Sequence, residues 1–141
     1  MDINNVILSD ESLKVIQEGA WVGNLYGADE GVRLKVRGMQ SDAARSALIS
    51  KYSILRVESE GKPATQEQRA QVTAEVLAEV CLMDWEGFTS GHKPFPFDAE
   101  QAKKWITSQD RKNERFINMV LEAVRRVDNQ SNEFVETAAK N

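Results

Sequence analysis

Cysteine and histidine occur once each in this chain, as Cys81 and His92, so these two residues supply the whole stock of thiol and imidazole for a nucleophile and its base. Cys81 falls on the apolar stripe Val72, Val76, Leu77, Val80, Cys81 of a helical pattern, whereas His92 lies in the loop beyond it, between Gly91 and Lys93. This placement predicts a buried, inert thiol and a solvated imidazole. It also leaves too few ligands for a cysteine–histidine metal centre, so neither a metal nor a cofactor is expected. Acidic residues number 22, but their obvious groupings have plainer tasks. Asp29 and Glu30 suit a turn, Asp98 a helix start, and Glu75 with Glu79 the polar face of a helix. The glycines at 19, 23, 27 and 31 match neither the dinucleotide fingerprint nor the Walker phosphate loop, and read as turn positions. The chain is not expected to be an enzyme.

Recognition is the remaining chemistry. Arg33, Lys35 and Arg37 alternate with Val32, Leu34 and Val36, and on a strand this period puts three cations on one face. Such a face is either plain solvated surface or a grip for an acidic partner. Trp85, Phe88, Phe95, Phe97 and Trp105, interrupted by Pro94 and Pro96, form either a core cluster or a protein-binding groove. Arg111, Lys112, Arg115, Arg125 and Arg126 are interleaved with Glu114, Glu122 and Asp128, which predicts charge pairs along a helix rather than a nucleic-acid groove. In the last stretch Phe134 and Val135 are the apolar anchors. The candidate partner-binding residues are therefore Arg33, Lys35, Arg37, Trp85, Phe88, Phe95, Phe97 and Phe134.

The elements that must position these residues can be read from periodicity and punctuation. Residues 1–18 fit a short helix or an added strand equally well. Residues 19–38 alternate about a Gly-containing turn, the pattern of a β-hairpin. Ser41 opens a helix over about 41–57, and Thr65 with Gln68 forms a capping box for one over about 65–83. Residues 84–97 read as an ordered aromatic loop, because Pro94 and Pro96 oppose both helix and ladder. Asp98 caps a helix over about 98–107, with Gln101 at the position that would complete a capping box. Phe116, Ile117, Val120, Leu121, Val124 and Val127 mark an amphipathic helix over about 110–127. The expectation is one compact α+β domain over 1–128, mostly helical, its N-terminal hairpin packed on three to four helices, followed by a flexible tail over 129–141.

Composition is consistent with that size and narrows the partners. The 141 residues are 41% hydrophobic and 28% charged, with a formal charge of −4, so no global positive field exists to hold a phosphate backbone. The start MDINNVILSDESLKVIQE has neither a basic lead nor a continuous apolar run, and no apolar run reaches the roughly 18 residues of a membrane span. A cytoplasmic protein is expected, without nucleic-acid or membrane partners.

The order of motifs adds a resemblance. VRLKVRG running into SDAARSALISKY, then DWEGFTSGHKPFPFDAEQAKKWI, then RFINMVLEAV and the ending ETAAKN together resemble a family of small bacteriophage tail assembly chaperones. The resemblance covers roughly residues 19–141 and is most specific at 84–106, where an Asp-Trp-X-Gly turn, a Pro-aromatic step and a helix led by Asp follow in order. It implies a factor in the cytoplasm of a bacterial host, encoded by a long-tailed phage or prophage. Such a factor transiently binds the tape measure protein, helps recruit tail-tube protein, and is absent from the mature virion. Self-association along a long client is a further expectation. The alternative is a structural tail or connector subunit of the virion. The resemblance also implies ribosomal slippage near Ala139, Lys140 and Asn141, whose codons can contain A AAA AAC, with a minor longer product.

Overall fold

The computed structural model describes residues 1–130 and, as backbone, the short strand Glu136–Thr137. Among these residues five α-helices and two antiparallel sheets make a mostly helical α+β fold. Phe134 and residues 139–141 lie outside the described residues, as does most of the tail expected over 129–141.

The segment left open at the start resolves into a helix, α1 (Asp10–Glu18), which Ser9 caps by accepting the Ser12 N–H at 3.0 Å. The predicted hairpin is β1 (Ala20–Val22) against β2 (Arg33–Val36), with Ala20 opposite Val36 and Val22 opposite Leu34. Helix α2 (Asp42–Glu58) starts at Ser41, whose hydroxyl accepts the Ala44 N–H. The Thr65–Gln68 capping box forms in full and opens α3 (Gln66–Val76). Asp98 caps α4 (Ala99–Thr107) by accepting the Gln101 N–H at 3.0 Å. A single 3-10 turn, Arg111–Asn113, leads into α5 (Glu114–Asp128).

The helix expected to run to residue 83 ends earlier. After α3 the chain makes one wide π-helical turn, Leu77–Cys81, and then enters β3 (Leu82–Glu86), which pairs antiparallel with β2. The segment expected to be loop over 84–97 therefore begins inside a strand. It continues as a small hairpin, β4 (Thr89–Ser90) and β5 (Lys93–Pro94), turned by Gly91 and His92, both at positive φ. Positive φ at both central residues suits the twist of a two-residue hairpin. A register shift explains why β3 escapes a period-two reading. Leu82 faces Val36 and Asp84 faces Lys35, so Met83 is an extra residue that lets both Leu82 and Trp85 turn inward.

The main sheet has the order β3-β2-β1-β6, with β6 (Glu136–Thr137) beside β1. Its inner face, Ala20, Val22, Leu34 and Val36, is buried with Val120, Ala123, Val124 and Val127 of α5 in one core that also takes in Ile16, Ala102 and Ile106. Polar joints fix the helices. The Asp128 carboxylate accepts the N–H groups of Met39 (2.9 Å) and Gln40 (3.0 Å), tying the end of α5 to the β2–α2 turn. Gly38 is required there, because a Cβ at that position would sit on the Asp128 carboxylate. Lys51 of α2 pairs with Glu75 at 3.0 Å and Glu79 at 3.1 Å, and Lys103 of α4 reaches Glu79 at 3.6 Å. Burial alone would weaken the charges of Lys51 and Glu75. Their mutual hydrogen bond and the neighbouring charges outweigh it, raising the Lys51 pKa and lowering that of Glu75.

Candidate functional site

The five aromatic residues of the predicted cluster, Trp85, Phe88, Phe95, Phe97 and Trp105, converge, and the bulged strand is what brings them together. Trp85 leaves β3 on the inner face of the sheet and is 4% exposed. Its indole N–H donates to the Phe95 carbonyl at 3.0 Å, which anchors the small hairpin over the ring. Around it stand Phe97 at 4.9 Å and Phe88 at 5.6 Å, both edge-on, and Phe95 at 5.8 Å, stacked. Trp105 of α4 and Phe116 of α5 complete the ring set at 6.3 and 5.8 Å from Trp85. Both geometries are favourable for aromatic pairs.

The cluster is not sealed. Phe88, Phe95, Trp105 and Phe116 are half-buried and, with Thr89 and Ser90 at the mouth, line an open cleft of about 310 Å³ over Trp85. An apolar aromatic floor with a polar lip suits one or two apolar side chains of a partner. Trp85 lies at the base of the cleft, Phe88, Phe95, Trp105 and Phe116 line it, and Phe97 packs edge-on against Trp85 outside the lining. Phe116 was legible only as one residue of the α5 stripe, because nothing in its spacing shows that α4 and the small hairpin stop short of covering it.

The basic residues occupy a different surface. Arg33 and Lys35 stand on the outer face of the main sheet, facing Glu86 and Asp84 in register, while Leu34 and Trp85 point to the core. Arg33 pairs with Glu86 and lies 5.3 Å over the Trp21 ring. Arg37 places one guanidinium nitrogen 3.7 Å from the Met83 sulfur, and its Nε is buried without a hydrogen-bond partner among the described residues. The face is mixed in charge and does not join the cleft. Phe134, the remaining candidate, lies outside the described residues.

The charge pairing expected along α5 is present between Arg126 and Glu122, and several charges of this helix also hold a loop that helical spacing did not suggest. Arg126 pairs with Glu122, and it donates to the carbonyls of Gly23 (2.8 Å) and Asn24 (3.1 Å). Glu122 accepts the Tyr26 N–H at 3.0 Å, and Arg115 donates to the Gly27 carbonyl. These side chains hold the long loop between β1 and β2 against the helix.

Cys81 is fully buried, and burial with the nearby Asp128 charge pushes its thiol up to about 12, against a weaker opposing pull from Arg37. His92 sits exposed at the tip of the β4–β5 hairpin. Among the described residues no group of three His, Cys, Asp or Glu side chains is placed to hold a metal ion. No helix there is long and apolar enough to cross a membrane.

Comparison with known proteins gives one match. Neither a curated protein nor a solved structure matches the chain. A protein-family model, described as the YdaY prophage protein, matches residues 39–141. That span includes α2 to α5, the whole aromatic cleft and strand β3, and leaves out α1 and the β1–β2 hairpin. The chain, matched over far more than half its length, belongs to the YdaY prophage protein family.

Proposed function

We propose that this prophage protein is a non-enzymatic tail assembly chaperone that transiently binds apolar segments of the tape measure protein and helps recruit tail-tube protein. The observation that carries the reading is the open aromatic cleft over Trp85, lined by Phe88, Phe95, Trp105 and Phe116. A tape measure protein is a long helical chain with apolar stretches that need cover until the tube closes around them. A shallow aromatic cleft holds such side chains reversibly, through burial rather than through covalent or metal chemistry. Prophage origin and the order of motifs across residues 84–106 support the same reading. In this account the protein acts in the host cytoplasm and leaves before the virion is complete.

The test is co-expression with the tape measure protein of the same prophage. The unmodified protein should keep the client in the soluble fraction and co-purify with it. Ser90→Glu places a carboxylate at the mouth of the cleft without removing a core side chain, and should abolish both effects while leaving the melting curve unchanged. Co-purification that survives Ser90→Glu would remove the cleft from the account, and a client that is neither solubilised nor bound would remove the chaperone reading itself.

A further inference from the structure

Among the described residues ten large hydrophobic side chains are exposed, and nine of them fall in two places. Six lie within residues 1–13, including Ile3, Val6 and Ile7 at 61, 59 and 64% exposure. Three lie on α2, Ile49 at 69%, Ile54 and Val57, and of these Ile49 lines the groove between α2 and the α2–α3 connection. Clustering of this kind marks interaction surface, since single exposed apolar residues are otherwise scattered.

The two places differ in shape and in charge. On α2, Leu48, Ile49, Tyr52 and Leu55 face the α2–α3 connection at Pro63 and Ala64 across a groove of about 560 Å³. Its charged lining is basic, Arg56 and Lys62, with no acidic side chain. The N-terminal segment is thinly packed: α1 gives only Ile16 to the buried core, and residues 1–4 and 6–8 are exposed ahead of it. Its flanks are acidic, with Asp2, Asp10 and Glu11 all exposed. A basic-rimmed apolar channel and an acid-flanked apolar segment are complementary, and one chain carries both.

We infer that residues 1–8 of one copy seat in the α2 groove of a second copy. Val6, Ile7 and Leu8 enter the channel, and Asp10 and Glu11 lie against Arg56 and Lys62. The channel volume is ample for three aliphatic side chains, and burial of those side chains supplies the attraction. The charges set the direction of the segment and make the contact weaken with salt. Each copy offers a segment and a groove, so the contact is heterologous: it closes when two copies exchange segments and otherwise extends into short chains. The inference does not depend on the chaperone reading.

Sedimentation velocity on the full chain over a concentration series up to about 1 mM tests it. The unmodified protein should associate reversibly, and Ile7→Asp or Ile49→Asp alone should weaken association by at least about tenfold, because each puts a charge into the apolar contact. Both positions are exposed, and unchanged circular dichroism melts establish that each variant is folded. An equimolar mixture of the two variants should recover association that neither shows alone, since one keeps an intact groove and the other an intact segment. A protein monomeric throughout the series, an Ile7→Asp variant that associates like the unmodified chain, or a mixture that stays monomeric would each overturn the inference.

Discussion

At the scale of single residues, Trp85 joins fold and site. It is the residue at which β3, the small hairpin, α4 and α5 meet, so Trp85→Ala should cost about 3–5 kcal/mol in urea or thermal unfolding. The exposed Ser90 tests the mouth of the same cleft without that penalty. Cys81 makes a second prediction at this scale. Its thiol is raised from 9.0 to about 12, so the folded state holds the proton more tightly than the unfolded chain. That contribution to stability is complete below about pH 9 and is lost as pH rises toward about 12. Stability of the unmodified protein should therefore fall relative to Cys81→Ala by up to about 1.4 kcal/mol per pH unit across that window. Equilibrium urea titrations of the two proteins from pH 8 to 11 measure the difference. A parallel pH dependence would show that the thiol is not held in this way.

At the scale of elements, what could be read from sequence is what local chemistry specifies. Ser41, Thr65 with Gln68, and Asp98 cap their helices as their types and spacings predict, and Val32 to Arg37 alternate as a strand should. Strand β3 was hidden because Leu82 and Trp85 both point inward across a bulge at Met83, which breaks the period of two, and because the π-helical turn before it prolongs a helical pattern. For the site, the aromatic residues of 84–97 were visible as a group, but their openness to solvent depends on the placement of α4 and α5, which no local spacing encodes. The basic stripe shows the same division. Its common face was legible, whereas Asp84 and Glu86 opposite it could be placed only once β3 was known. Arg33 and Glu86 form a partly exposed pair, so changing Arg33 and Lys35 together to Gln should alter stability by less than about 1 kcal/mol. Gly38→Ala, by contrast, drives a methyl group into the Asp128 carboxylate that joins α5 to the β2–α2 turn, and should cost about 1–3 kcal/mol in thermal unfolding.

At the scale of the whole molecule, the family match and the fold divide the chain differently. The match begins at residue 39, yet β1 and β2 lie before it and occupy the middle of the main sheet, where they bury Val22, Leu34 and Val36 against α5. The first 38 residues are thus structural partners of the matched region as well as the bearers of the acid-flanked segment. The aromatic cleft lies wholly within the match. The central claim is transient binding of the tape measure protein during assembly, and quantitative mass spectrometry of an induced lysate fractionated into assembly complexes and finished particles tests it most directly. The account predicts this protein together with the tape measure protein in the complexes and its absence from purified particles. A stoichiometric amount in mature tails would contradict it and would make the protein a structural subunit of the virion instead.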